Sequence, residues 1–238
     1  MSTIQRERRG GGIEVLRLDR PDRRNAMDSA MLADLSAALG ELAGDPELRV
    51  LVFSTTSDQA LSAGADVSEP LDHEGGVARM EAFSRLYVAV EAFPVPTIAV
   101  CVGNCVGAGA ELAAGCDLRV GGDNLTLAWA GARLGVPVGP ARLVPLVGLA
   151  KAKELILTGR VVGMAEADAL GLLARTAPAA QAEAMALELA SELAAHPPEG
   201  MRALKRMFRD FEQTGRRVAA ENALLEDFQR HGGGLPSG

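Results

Sequence analysis

Aromatic residues are scarce in this chain of 238 residues, which contains one Trp, one Tyr and six Phe. The core must therefore be built mainly from Ala, Leu and Val, and an apolar content of 48% supplies enough of them for a sizeable core. A chain of this length suits one large domain, or one domain with an appendage.

Several other features are missing, and each absence excludes a class of protein. A net charge of −7 without a basic stripe argues against a nucleic-acid partner. No apolar run approaches the ~18 residues that a membrane-spanning helix needs, so we expect no membrane span. Residues 1–12 are polar and basic and include no hydrophobic segment, so we expect no signal peptide and a cytoplasmic protein.

Cysteine and histidine are also rare, with three of each. Cys101, Cys105 and Cys116 are odd in number and lie in apolar surroundings without a histidine nearby. This pattern predicts buried, reduced thiols rather than a disulfide framework or a metal site. The histidines are expected at the surface (His73, His196 and His231).

Alternating strand and helix signals predict an α/β fold. Residues 4–9 and 13–18 flank three glycines and are typical of a hairpin. A helix is predicted from Asp28 or Ser29 and another over 77–93, with 72–76 as a flexible loop between segments. Further helices are predicted at 150–158, 164–172, 180–195, 198–211 and 215–230.

The richest chemistry lies between residues 97 and 117, where a β-branched strand runs into a glycine turn and then a short helix. A helix that starts in this way presents unpaired N–H groups, which attract negative charge. Glu111 lies one turn into the helix among Ala and Leu, so little nearby should solvate its charge. Its pKa is therefore expected to be raised, which suits proton transfer. The alternative interpretation is close packing with Glu111 as a dipole partner.

A second stretch of small residues, Ala63-Gly64-Ala65, lies in the predicted loop 57–69 and favours close backbone approach to a ligand. The backbone N–H groups of Ala65 and Ala108 could point at one oxygen atom. Two such donors form an oxyanion hole, which stabilises negative charge on a carbonyl oxygen.

Taken in order, several segments resemble the crotonase superfamily, the enoyl-CoA hydratase/isomerase family. The matching segments are 18–27, 60–69 and 102–120, with a looser match at 134–140 and two more at 153–159 and 165–172. The resemblance covers about residues 4–230, and the co-occurrence of these motifs is more specific than any single one.

The resemblance implies a crotonase-like spiral of ββα units with a helical C-terminal region. We accordingly expect a core at 1–178 and a helical oligomerisation region at 179–238, assembling as a homotrimer or hexamer. The implied substrate is an acyl-CoA thioester, with no permanently bound cofactor and no metal. Ala65 and Ala108 match the oxyanion donors, and Glu111 matches one catalytic glutamate. The expected substrate-binding residues are Ala63, Gly64, Asp66, Arg24, Gly107, Trp129 and Gly131.

Departures from the family pattern leave the reaction open. Hydratases of this family use a second glutamate, whose position is Gly131 here, and the aspartate of its dehalogenases corresponds to Gly139. Residues 124–150 contain no acid, His or Tyr that could substitute. Three interpretations remain: hydration of a 2-enoyl-CoA, a double-bond shift by a single base, and acyl-CoA binding without turnover.

Overall fold

A computed structural model describes residues 2–235 and contains two β-sheets. The larger has six strands in the order β1-β2-β3-β5-β7-β9, and the smaller has three in the order β4-β6-β8. The strands are β1 (Ile4–Arg9), β2 (Ile13–Leu18), β3 (Val50–Thr55), β4 (Ala60–Ser62), β5 (Thr97–Cys101), β6 (Asn104–Val106), β7 (Leu118–Gly122), β8 (Thr126–Ala128) and β9 (Arg175–Ala177).

Only the first pair of strands in the large sheet is antiparallel. Ile4 pairs with Leu18 and Arg9 with Ile13, which confirms the predicted hairpin. All other strand pairs in the described chain are parallel. Parallel neighbours need crossover connections, and helices supply most of them here. The α/β class predicted from the sequence is confirmed.

Eight α-helices cover the sheets within residues 2–235. They are α1 (Ser29–Ala43), α2 (His73–Glu91), α3 (Ala108–Gly115), α4 (Pro140–Thr158), α5 (Met164–Ala169), α6 (Ala182–Ala194), α7 (Pro198–Glu212) and α8 (Thr214–His231). The Asp28 side chain accepts a hydrogen bond from Met31 N at 2.9 Å, and it therefore caps α1 as predicted.

Buried apolar side chains form two clusters. The larger one packs α1, α2 and α3 together with Leu16, Leu51 and Phe53 from the large sheet. The smaller one packs α6 onto other strand residues, such as Val15 and Val50. The predicted core is indeed rich in Ala, Leu and Val, and all three cysteines are buried and free.

Two boundary predictions were wrong. The segment 72–76 is not a loop, because Asp72 accepts a hydrogen bond from Gly75 N at 2.7 Å and starts α2 at His73. Helix α4 starts at Pro140 rather than 150, with a break at Gly148, whose φ is 76°. The sequence signal there was weak, since Pro145 and Gly148 interrupt the helical pattern. Across residues 2–235, no helix has the length and apolar character needed to cross a membrane.

Candidate active site

The small sheet brings the two glycine-rich turns together. Strands β4 and β6 are parallel neighbours, so the loops that leave them emerge at the same edge. Gly64 has a φ of 104°, and a Cβ there would lie 2.9 Å from the Val106 carbonyl oxygen. Gly107 has a φ of 53° at the start of α3. Glycine permits both the left-handed backbone and the close approach of these turns.

The predicted oxyanion donors lie in these two turns. Met27 N donates to Gly64 O at 2.7 Å, and Asp66 N donates to Met27 O at 2.9 Å, which fixes the backbone on both sides of Ala65. Within residues 2–235, the N–H groups of Ala65 and Ala108 have no acceptor. Both residues line one cavity, so both donors remain available to a ligand there.

This cavity has a volume of about 250 Å³ and no charged lining residue. Its lining comprises Ala63, Gly64, Ala65, Val67, Met80, Phe83, Tyr87, Val106, Gly107, Ala108, Ala130, Gly131, Leu134, Val136, Val138, Leu225 and Leu235. Such an apolar cleft with a few backbone donors is typical of small-molecule sites. No cluster of potential metal ligands occurs in the described part of the chain.

Glu111 does not line this cavity, although Tyr87 and Ala108 near it do. Its side chain is 1% exposed and lies one turn along α3 from Ala108. A Cβ on Gly139 would lie 3.3 Å from Glu111 Oε1, so the segment after Val138 covers the carboxylate closely. Oε1 receives no hydrogen bond from the described residues, whereas Oε2 accepts one from Arg142 Nε at 2.5 Å.

Arg142 corrects one expectation from the sequence. The apolar neighbours of Glu111 suggested that nothing nearby could stabilise its charge, but this arginine is an ion-pair partner buried to the same degree. Arg142 Nη2 also donates to Glu221 Oε1 at 2.5 Å, and the guanidinium carbon lies 4.3 Å from the ring centre of Tyr87. Two carboxylates therefore share one guanidinium over an aromatic face.

The expected direction of the Glu111 pKa shift holds, although its environment differs. Burial raises the pKa of Glu111 to about 7, Arg142 opposes this shift, and the Glu221 carboxylate adds to it. Burial disfavours the charge of Arg142, yet the two carboxylates hold the pKa of its guanidinium above the ordinary value. Burial also raises the pKa of Tyr87, so its hydroxyl stays protonated at neutral pH.

A side chain at Gly131, the position expected for a second glutamate, would meet neighbouring atoms at short distances in this structure. A Cβ at Gly131 would lie 2.9 Å from the Val136 carbonyl oxygen and 3.0 Å from Val138 Cγ1. Gly139 has a φ of 122°, which disfavours any side chain there. Residues 131–139 thus fold back on themselves, and this conformation disfavours a larger side chain at Gly131 or Gly139.

The other predicted site residues divide into two groups. Ala63, Gly64, Gly107 and Gly131 line the cavity, where substrate-binding residues are expected. Arg24, Asp66 and Trp129 do not. Arg24 is exposed and touches the site only through its carbonyl, which accepts from Ala63 N at 2.9 Å.

Asp66 and Trp129 have other surroundings. Asp66 is 3.1 Å from the Arg20 guanidinium and accepts a hydrogen bond from the Ser68 hydroxyl. Trp129 lines a separate small pocket with Ala110 and Arg119, and its indole N–H has no partner among the described residues. The next residue, Ala130, lines the main cavity instead, and no motif in the sequence distinguishes these two positions.

Sequence reasoning missed Arg142, Glu221 and Tyr87 as parts of this site. One signal was available: Arg142 is one of two charges in the otherwise uncharged stretch 129–149. A lone charge in an apolar stretch indicates a buried partner. That partner, Glu221, comes from a helix 79 residues away in sequence, which local patterns do not reveal.

Comparison with known proteins decides the family. A family model described as enoyl-CoA hydratase/isomerase matches residues 8–233. The chain belongs to the enoyl-CoA hydratase/isomerase family. It is 31% identical over 220 residues to the 2,3-dehydroadipyl-CoA hydratase of Escherichia coli K12, covering 91% of this chain and 84% of that protein. The resemblance to the crotonase superfamily is thereby confirmed, and the chain is an enzyme of this family.

Solved structures of the family share the fold. The enoyl-CoA hydratase of Bacillus anthracis superposes with a TM-score of 0.83 at 26% identity, covering 93% of this chain and 89% of that one. A monofunctional enoyl-CoA isomerase from M. smegmatis gives a TM-score of 0.76 at 25% identity, covering 90% and 95%. Proteins named for two different reactions thus share this architecture, and the family acts on CoA thioesters.

Proposed function

We propose that this protein shifts the double bond of an enoyl-CoA thioester, with Glu111 as its single acid/base. One observation carries the proposal: the buried carboxylate of Glu111 lies one helical turn from the unpaired N–H of Ala108, and a side chain at Gly131 would meet the Val136 carbonyl oxygen. A double-bond shift needs one group that removes a proton and returns it. Hydration needs, in addition, a water molecule that is held and split.

The proposed reaction proceeds through an enolate. Glu111 removes a proton from C2 of a 3-enoyl thioester, and the electron pair moves onto the thioester oxygen. The N–H groups of Ala65 and Ala108 stabilise that negative charge. As the carbonyl re-forms, the double bond moves to C2–C3 and C4 takes the proton back from Glu111. The carboxylate returns to its initial state, so no water or other reactant is consumed.

The ion pair with Arg142 suits this role. Oε2 is held by the guanidinium, while Oε1 has no donor among the described residues and is the oxygen left to carry the proton. The proposal requires Oε1 to reach the acyl carbons at the inner wall of the cavity. A pKa of about 7 makes both protonation states of Glu111 accessible, which a group that takes and returns a proton requires.

The cavity lining further indicates the kind of acyl group. No lining residue carries a charge, and most present hydrocarbon to the cavity. Burying a carboxylate without a partner costs on the order of several kcal/mol, because the ionised group loses its hydration. We therefore propose a short hydrocarbon acyl chain rather than one that ends in a carboxylate.

Hydration of a 2-enoyl-CoA is the second candidate, and the relatives favour it. The E. coli protein that is 31% identical is named a hydratase, as is the Bacillus anthracis structure. In this reaction Glu111 alone would take a proton from water and the enolate would be stabilised as before. A third possibility, binding of an acyl-CoA without turnover, follows from the missing glutamate at Gly131.

One experiment separates the three functions. Purified protein is incubated with a short 3-enoyl-CoA or 2-enoyl-CoA, and the products are followed by absorbance and mass. Isomerisation leaves the mass unchanged and moves the double bond, whereas hydration adds the mass of one water. A matched thioester with a terminal carboxylate should react more slowly than its hydrocarbon counterpart.

Glu111→Gln is the matched control, because it keeps the shape of the side chain and removes its proton-transfer function. We expect turnover to fall by ~10²–10⁴-fold. Thioester binding, measured by calorimetry, should change little, since the affinity comes from the backbone donors and the CoA contacts. Equal turnover by wild type and Glu111→Gln would contradict the assignment of Glu111, and wild type that binds without turnover would support the binding function.

A further inference from the structure

The Glu221 side chain holds two neighbouring residues at the start of α4. Its Oε1 accepts from Arg142 Nη2 at 2.5 Å, and its Oε2 accepts from the backbone N–H of Ala141 at 2.7 Å. The first N–H groups of a helix have no partner within the helix, so Glu221 caps α4 from outside. One carboxylate therefore fixes both the backbone and the guanidinium of this turn.

The same guanidinium reaches Glu111 on its other nitrogen. Arg142 Nε lies 2.5 Å from Glu111 Oε2. The arginine, on α4, therefore joins Glu221 on α8 to Glu111 on α3. Each of these side chains is at least nine-tenths buried. Buried pairs of this kind are sensitive to the loss of one member, because the remaining charges stay out of water.

The balance of charge in this group favours a proton on one carboxylate. Glu111 and Glu221 together carry two negative charges when ionised, and Arg142 compensates one of them. Without the charge of Glu221, the guanidinium would compensate Glu111 alone, and Glu111 would ionise more readily.

The groups that face Glu111 from neighbouring helices are the Tyr87 hydroxyl on α2, the Arg142 guanidinium on α4 and the Glu221 carboxylate on α8. Strands β4, β5 and β6 carry no charged residue, and their titratable groups are the thiols of Cys101 and Cys105. The charge balance at Glu111 is thus set mainly by Arg142 and Glu221.

We propose that Glu221 is a positioning residue for Glu111, which acts through Arg142 to orient the catalytic carboxylate and to set how readily it takes up a proton. This inference rests on the proposed role of Glu111 as acid/base. It assigns part of the active site to α8, a helix outside the segments that match the family motifs. Docking of α8 is thereby coupled to the proton transfer.

The test is the pH dependence of Glu111 in Glu221→Gln, which removes the charge and keeps the shape. The lower limb of the kcat/KM profile should move to lower pH by about one unit or more. The carboxyl band of Glu111 in the infrared difference spectrum between each protein and its Glu111→Gln counterpart should move by the same amount. This second readout does not depend on turnover.

Glu226→Gln is the matched control, because Glu226 lies on the same helix and, among the described residues, its ion pair is with exposed Arg230, at 3.6 Å. It should leave both readouts unchanged. Glu221→Asp keeps the charge but is one methylene shorter, so we expect it to lose one of the two contacts that Glu221 makes with Ala141 N and Arg142. We expect it to keep the pH midpoint and to lower kcat.

An infrared midpoint that is the same in wild type and Glu221→Gln would overturn the proposal. If Glu221→Gln does not fold, a wild-type kcat in Glu221→Asp would overturn it equally. Failure of the acid/base assignment of Glu111 has a different signature, because Glu111→Gln would then retain turnover whatever the infrared midpoint in Glu221→Gln.

Discussion

At the scale of single residues, the site depends on how one carboxylate is buried. Glu111 is removed from water but keeps a charged partner, and that partner is shared with Glu221. Desolvation favours the neutral form of the acid, while Arg142 favours the ionised form. The opposition of these two effects, rather than apolar surroundings alone, brings the pKa of Glu111 to about 7.

The first prediction concerns the pH dependence of turnover. Glu111 must be ionised to remove a proton, so kcat/KM should fall about tenfold per pH unit below its pKa of about 7 and be level above it. Steady-state kinetics between about pH 5 and about pH 9 would measure this pH dependence. A level profile down to pH 5 would contradict the assignment.

The same shift has a consequence for folding. The folded protein keeps a proton on Glu111 that the unfolded chain releases near the ordinary value of 4.5, so wild type should lose stability as pH rises from 4.5 towards about 7. Glu111→Gln lacks this titration. The unfolding free energy of wild type relative to that of Glu111→Gln, measured by urea denaturation at several pH values, should therefore fall as pH rises from 4.5 to about 7.

At the scale of secondary-structure elements, the site lies where two parallel strands end. The sequence predicted both glycine turns, but it predicted 57–69 as one loop, whereas residues 60–62 form strand β4, which lies beside β6. Local signals such as Gly64 and Gly107 were sufficient for the turns, because tight turns restrict which residues can occupy them. The contact between Arg142 and Glu221 was not predictable, because it depends on how α8 packs against the rest of the chain.

The second prediction tests the backbone donors at these strand ends. Ala65→Pro and Ala108→Pro each remove one N–H, and kcat should fall by ~10²–10³-fold. Proline is tolerated in the first turn of a helix, so Ala108→Pro should still fold. Ala65→Gly and Ala108→Gly keep the N–H and serve as matched controls. Wild-type turnover in a folded proline variant would exclude that residue as a donor.

The third prediction concerns the segment from Gly131 to Gly139. From the sequence, Gly131→Glu is expected to restore the second glutamate and to raise hydration of a short enoyl-CoA if the wild type is weak at it. The structure argues against this, because the new Cβ would meet the Val136 carbonyl oxygen at 2.9 Å. We now expect a lower melting temperature and no gain in hydration of a short 2-enoyl-CoA. A gain in hydration, measured by absorbance, would show that the segment can move aside.

At the scale of the whole molecule, the C-terminal helices have different roles. Helix α6 buries Ala186, Leu189 and Ala190 against the large sheet, so its apolar residues are used within the chain. Helix α8 packs along α2 and carries Glu221 into the site. Helix α7 instead leaves a row of large apolar side chains in water. They are Leu204, Met207, Phe208 and Phe211.

The fourth prediction is that α7 forms the contact between copies of this chain. Phe208 and Phe211 are 70% and 75% exposed, and a patch of this kind usually marks an interaction surface. The resemblance to the crotonase superfamily implies a homotrimer or hexamer, which we expect to observe by light scattering at micromolar concentration as a closed, symmetric assembly. Phe208→Glu combined with Phe211→Glu should yield monomers, because each interface would then bury unpaired carboxylates. Leu149→Glu, at an exposed site on α4, is the matched control and should keep the native mass. A wild-type protein that is monomeric at this concentration would exclude the assembly and leave the apolar row of α7 unexplained.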